Sequence, residues 1–206
     1  MTSFTELVRH GVLLLAFLCS ACVSLERSYP DKRYFVIEVR EDAKRASAEG
    51  QQILLMSNLH ISPRYADRSF VYRISEAGFE SDFYNQFLSS PATMISEEVR
   101  KGLAASPLFK FVLGPSSPLP AHYVLEGSVN ALYGDFRNLN QTAAFLEIEF
   151  FLHNEDPSNS GIVMQKRYTK SVALNEKSPE ALVKGWSQAL EGIVAMLITD
   201  LGNGKL

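Results

Sequence analysis

Three alternating runs in the second half leave this chain few possible folds. Residues 122–136 set Tyr123, Leu125, Val129, Ala131 and Tyr133 on one face and Glu126, Ser128 and Asn130 on the other. Residues 142–153 set Leu146, Ile148, Phe150 and Leu152 opposite Glu147 and Glu149, and residues 162–174 form a third run. A period of two is the mark of a half-buried strand. The connections, residues 137–141 and 154–161, are rich in Asn, Ser, Gly and Pro, which favour turns. The three runs therefore predict an antiparallel meander with one buried and one wetter face.

Helices and further strands surround it. Ser90-Pro91 and Ser178-Pro179 each supply an N-cap residue followed by a proline suited to a first helical position. After the first, Ile95, Val99 and Leu103 recur at four-residue spacing, with Glu97, Glu98, Arg100 and Lys101 on the wet face. After the second, Leu182, Trp186, Leu190, Ile193 and Leu197 make an apolar stripe, and Gly202 is the expected C-terminal stop. In the first half, residues 34–39 and 52–61 read as strands, residues 41–50 as a polar loop, and residues 69–74 with 79–81 as a hairpin. Phe83 and Phe87, four apart, point to the approach of a helix, and residues 109–113 to a short strand. The expected fold is α+β: one mainly antiparallel sheet with two long helices packed on one face.

The N-terminus sets where such a domain would sit. Arg9 precedes a short apolar run from Val12 to Leu18, and Ser20-Ala21-Cys22 follows. The run is too short for a membrane span, which needs about 20 apolar residues, and fits the core of a secretory signal. Small residues before a cysteine match a bacterial lipobox, so residues 1–21 read as a lipoprotein signal peptide and Cys22 as the acylated first residue of the mature chain. An ordinary cleaved signal with an incidental Cys22, or an uncleaved amphipathic start, remain the alternatives. Residues 22–32 then form a tether, and residues 33–202 a single domain. Ten residues between Cys22 and Arg33 reach roughly 35 Å at full extension, against a radius of gyration of roughly 16 Å for a domain of this size. The domain would stay close to its membrane.

The chain contains no cysteine besides Cys19 and Cys22, so the predicted domain has neither disulfides nor a thiolate metal site. With 20 basic and 23 acidic residues the net charge is -3, which excludes the basic footprint of a nucleic-acid binder. His60, His122 and His153 fall on separate strands, and no third ligand accompanies any pair, so neither a metal nor another cofactor is expected. Glu147 and Glu149 share a strand face and could act as a hydrolytic pair, although a solvated face accounts for them without chemistry. No nucleophile elbow or phosphate loop occurs. The expectation is a protein that is not an enzyme.

The hairpin region is the unusual stretch. Arg64, Arg68 and Arg73 interleave with Tyr65, Phe70, Tyr72 and Phe79, residue types enriched at interfaces. Tyr65, Arg68, Tyr72 and Arg73 are the candidate partner-binding residues. The other reading is a structural hairpin whose arginines pair with Asp67, Glu76 or Asp82.

Taken together, the lipobox, the short tether, the opening strand Tyr34-Phe-Val-Ile, and the segment Tyr65-Ala-Asp-Arg-Ser-Phe-Val-Tyr-Arg73 resemble the ABC-type transport auxiliary lipoproteins, the family of the paraquat-inducible protein C group. The resemblance spans the whole mature chain. Asp82-Phe-Tyr84 stands where the family often has Trp-Ala-Glu, and Cys19 where a lipobox usually has Leu. The resemblance implies a non-enzymatic auxiliary component of an envelope lipid transport system. Its partners would be a mammalian-cell-entry domain protein and that protein's ABC transporter, and it would reach the membrane through its lipid. Val23 is not the Asp that commonly holds lipoproteins at the inner membrane, so the expected place is the outer membrane, periplasmic side. A lipoprotein activator or assembly factor of a cell-wall or outer-membrane machine is the alternative.

Overall fold

A computed structural model describes residues 31–39 and 50–204; all but Asp31 belong to the compact unit Lys32–Leu206. The expected signal peptide, Cys22, most of the expected tether and most of the expected loop at 41–50 lie outside the described residues. The elements run in the order β1 (Arg33–Phe35), β2 (Ile53–Met56), β3 (His60–Ile61), a 3-10 turn (Pro63–Tyr65), β4 (Ser69–Arg73), β5 (Phe79–Phe87), α1 (Pro91–Ala105), β6 (Phe111–Leu113), β7 (Tyr123–Asp135), β8 (Ala143–Asn154), β9 (Gly161–Ala173) and α2 (Pro179–Asn203).

The meander forms as its alternation demands. β8 lies antiparallel between β7 and β9, with Ala144, Leu146, Ile148, Phe150 and Leu152 all buried on one face. The sheet as a whole corrects the expectation of a mainly antiparallel one: it is mixed. The edge of β7 away from β8 carries β2, β3 and β4 in succession, all parallel to it. β6 adds parallel to β2 and β1 parallel to β5, while β4 and β5 are antiparallel. Parallel neighbours need long crossovers rather than tight turns, so no local turn signal in the sequence announces them. The expected single strand at 52–61 is two short ones, β2 and β3, broken at Ser57–Leu59.

Two other expectations change. A bulge in β7 between Val129 and Ala131 shifts its register against β8. Beyond it Leu132 opposes Leu146 on the buried face, so Ala131 and Tyr133 move to the face of Glu147 and Glu149. One extra residue in a strand exchanges its faces. The region of Phe83 and Phe87 is strand β5, not the lead-in to a helix.

α2 supplies the core. Leu182, Trp186, Leu190, Ile193 and Leu197 are fully buried, and the helix lies on β8 and β9 and meets α1. The Ser178 hydroxyl accepts the Ala181 N–H at 3.1 Å, capping the helix as its sequence predicts. Gly202 does not end it; the helix runs to Asn203 with Gly204 as cap. Of the helices described, α2 alone is long and apolar enough to cross a membrane, but half of its most apolar stretch is buried in this core. In α1, Glu98 is buried rather than wet: its carboxylate accepts the Val39 N–H at 2.8 Å and the Lys101 ammonium at 2.7 Å. Ser96 accepts the Leu59 N–H at 2.9 Å and donates to the Ala92 carbonyl. These two side chains tie irregular backbone segments to a helix where no ladder reaches them.

Candidate functional site

The four interface candidates fall at three places. Between β3 and β4 the chain leaves β7: Ile61 faces Val129 and Tyr72 faces Gly134, so many more residues pass on one side than on the other. The 3-10 turn takes up the excess and tucks Tyr65 inward until it is 5% exposed. Its ring stacks at 6.2 Å on Tyr133, which stacks on Phe145 at 4.8 Å, while Phe79 meets Tyr133 edge-on at 5.9 Å. The bulge in β7 is what brings Tyr133 to this face. The Arg64 and Arg73 guanidinium groups lie 5.4 and 5.8 Å from the Phe79 ring, and Arg73 lies 5.9 Å from Tyr133. Burial raises the pKa of the Tyr65 hydroxyl, against the pull of Arg64. The result is an aromatic nest with a cationic rim on the face of the sheet that α2 does not cover. Cation–π contacts of this kind contribute about 0.5–1 kcal/mol each where exposed.

Arg73 continues into a chain of charges. Its Nη2 donates to the Glu76 carbonyl at 3.0 Å and to the carboxylate at 3.4 Å. Glu76 also accepts from Arg137, which grips Asp135 through Nε and Nη2 at 3.0 and 2.7 Å. The two-pronged hydrogen bond from Arg137, which outweighs the effect of burial, holds the Asp135 carboxyl below its usual range. The Arg73 Nε is buried without a partner among the described residues.

Tyr72 points to the opposite face, as the alternation of β4 requires. It meets Phe136 edge-on at 5.2 Å and donates to the Asp82 carboxylate at 2.8 Å. Burial and that carboxylate raise the pKa of its hydroxyl. Tyr72, Ile74, Phe136, Leu139 and Pro179 line a groove of about 650 Å³ beside the start of α2, in which Ile74 and Leu139 are exposed.

Arg68 belongs to neither place. It donates to the Leu88 carbonyl at 3.3 Å and its guanidinium lies 5.9 Å from the Tyr34 ring, at the β1 edge. Arg73 thus pairs with Glu76, as the structural reading of the hairpin predicts, whereas Asp82 binds Tyr72 and Asn85.

Asp82, expected at most as an arginine partner, instead organises the backbone of β5, a role the sequence reading missed. Its carboxylate accepts from the Tyr84 N–H (2.8 Å), the Asn85 N–H (2.9 Å), the Asn85 side-chain amide (2.7 Å) and Tyr72. Burial raises its pKa, but these hydrogen bonds outweigh it and leave the group below the usual carboxylate range. The signal was present in Asp-x-x-Asn, a pattern suited to side-chain capping of a local turn.

The other candidates have local partners. Glu149 accepts from Gln165 and Arg167, and Glu147 from Thr169, across the β8–β9 ladder. His122 Nδ1 accepts the Ile53 N–H at 3.0 Å, and His153 sits 3.2 Å from Glu126. His60 is exposed on β3. Among the described residues no group of three His, Cys, Asp or Glu side chains could hold a metal ion.

The class that this framework defines is an α+β domain with a mixed sheet, and solved structures share it. A Xanthomonas campestris protein of the family DUF330 superposes with a TM-score of 0.69 at 15% identity, over 81% of this chain and 92% of that one. An uncharacterized protein gives 0.67 at 13% identity, over 84% and 99%. A hypothetical protein of Chlamydia trachomatis gives 0.52 at 11% identity, over 74% and 98%. At these identities the likeness is one of fold. No family model matches the sequence, and no curated protein does.

Proposed function

We propose that the protein is a lipoprotein, acylated at Cys22 and facing the periplasm from the outer membrane, that serves as a non-enzymatic auxiliary component of an envelope ABC-type lipid transport system. The lipobox and the Tyr65–Arg73 segment motivate the reading. The observation that carries it is the nest at Tyr133. Tyr65 is buried there and works as floor, while Arg64 and Arg73 stand over Phe79 on an open sheet face. Aromatic residues fixed beneath arginines make a surface suited to a protein partner, and the partner implied by the family resemblance is a mammalian-cell-entry domain protein with its ABC transporter.

The test is affinity capture of the full-length protein from membranes. Wild type should recover a mammalian-cell-entry protein, and Arg64→Glu, at the exposed rim of the nest, should recover it at least several-fold less while keeping its melting temperature. Recovery of a cell-wall synthase or an outer-membrane β-barrel instead would favour the activator or assembly-factor reading and sink this one. Cys22→Ala should release the protein from membranes; continued tight attachment would refute the anchor.

A further inference from the structure

The strand edge where the tether joins the domain carries a surface that the nest at Tyr133 does not explain. Ten large apolar side chains are exposed among the described residues, and four of them, Tyr34, Val36, Phe83 and Leu88, lie on or beside β1. Phe83 is the most exposed of all at 64%. It is placed there deliberately by the backbone: Ser69 faces Gln86 and Val71 faces Ser81, so residues 82–85 of β5 bulge out opposite Phe70 alone. The four hydrogen bonds to Asp82 hold that bulge, with Phe83 at its tip and Tyr84 edge-on to it at 5.2 Å. An interior bulge of this size forgoes ladder hydrogen bonds, so a side chain network that preserves it while exposing a phenylalanine points to a use for the phenylalanine.

Cations accompany the aromatics. The Lys32 ammonium sits 4.2 Å from the centre of the Phe83 ring, and Arg68 lies over Tyr34 while bonding the Leu88 carbonyl. Arg33, the third cation, is paired with Glu180 at 2.9 Å, and Asp31, Glu38, Asp67 and Asp82, the last held by its own hydrogen bonds, are the other acids near this edge in sequence. Amphipathic aromatic rings and long basic side chains are the types that settle at the level of lipid headgroups, the rings in the interface and the charges reaching to phosphate.

The chain itself supplies the geometry. Lys32, which covers Phe83, is the residue at which the tether enters the domain, ten residues after Cys22. A tether reaching at most roughly 35 Å keeps this edge at high effective concentration against the bilayer, so a contact too weak to bind alone is engaged most of the time. We infer that the β1 edge, with Tyr34, Phe83 and Leu88 as its apolar part and Lys32 and Arg68 as its basic part, rests in the headgroup layer of the membrane that holds the lipid anchor. The inference rests on acylation of Cys22. It moves Arg68 from the partner surface to the membrane surface and fixes which side of the domain is turned away from the bilayer.

Because the mature chain has no thiol beyond the acylated one, Leu88→Cys gives a unique attachment point for an environment-sensitive fluorophore, with Val163→Cys on β9 as control. The full-length protein is reconstituted into vesicles of phosphatidylethanolamine and phosphatidylglycerol containing spin-labelled lipid. The expected result is a blue shift and several-fold stronger quenching at Leu88 than at Val163, reduced to the Val163 level by Phe83→Ser together with Lys32→Glu. Equal quenching at the two positions, or no response to those substitutions, would overturn the proposal, as would protection of Leu88 by an added protein partner in detergent without lipid. Mass analysis of the N-terminal peptide reads acylation separately. A lipid-bearing protein with an unquenched Leu88 refutes the edge and leaves the anchor standing; an unacylated protein refutes the anchor and with it the inference that rests on it.

Discussion

The two halves of the sheet are held by different means. In the meander, β7, β8 and β9 pair almost from end to end, Tyr123 with Asn154 through Asp135 with Ala143 and onward to β9. In the first half, β1, β2, β3 and β6 are two to four residues long, and side chains replace the ladder between them. Glu98 holds Val39, Ser96 holds Leu59, Asp82 holds residues 84 and 85, and Arg68 holds Leu88. The continuous half is a framework. The interrupted half, where one carboxylate can reset a stretch of backbone, is where aromatic and arginine side chains are set out for contact.

The difference is tested first where the halves meet. Trp186 is fully buried, lies 5.1 Å from Phe70 and 5.4 Å from Phe87 in the first half, and donates through Nε1 to the Tyr133 carbonyl in the meander. Trp186→Ala should cost about 3–5 kcal/mol, read as a fall in the urea midpoint. A loss below about 1 kcal/mol would mean that the two halves do not depend on this side chain. Next is the interrupted half alone. Asp82→Ala strands the Tyr72 hydroxyl and two backbone N–H groups and should cost about 1–3 kcal/mol, with hydrogen exchange accelerated at Tyr84 and Asn85 but not along β8. Exchange rising equally in β8 would contradict the separation of the two regions.

The legible part of this fold is the continuous half. Leu146, Ile148, Phe150 and Leu152 alternate in sequence and are all buried, and Pro91 and Pro179 open the two helices as expected, although only Ser178, not Ser90, caps its helix through the side chain. What was illegible comes from inserted residues and distant partners. The extra residue in β7 reverses Ala131 and Tyr133, and nothing in an alternating run reveals where its phase will slip. The bulge at 82–85 stretches the spacing from Phe83 to Phe87 to that of a helix, although Phe87 is buried in the sheet and Phe83 is exposed. Glu98 looks wet beside Glu97 because its partner, Val39, lies far off in the chain. In the candidate site, the opposite faces of Tyr72 and Arg73 follow from strand period, but the inward turn of Tyr65 depends on how far the chain departs from β7, a property of the assembled sheet.

The smallest expected effect is on the open face of the meander. Glu149 accepts from Gln165 and from Arg167, and both bonds hold its carboxyl below the usual range, with burial opposing. Asp82 is depressed as well, so the two residues make a matched pair for acid titration. In each case the folded pKa lies below the unfolded value of about 4. The stabilisation is therefore present above that pH and fades as pH falls through the folded pKa. The environments differ: water and salt screen Glu149, and exposed ion pairs of this kind contribute little to stability. Glu149→Gln should thus follow the wild-type stability curve from neutral pH into acid without a resolvable change, whereas Asp82→Asn should flatten it in the acid range. If instead Glu149→Gln flattened the curve as much as Asp82→Asn, the meander surface would share in the side-chain support that the first half shows, and the division between framework and display would fail on the open face of the meander.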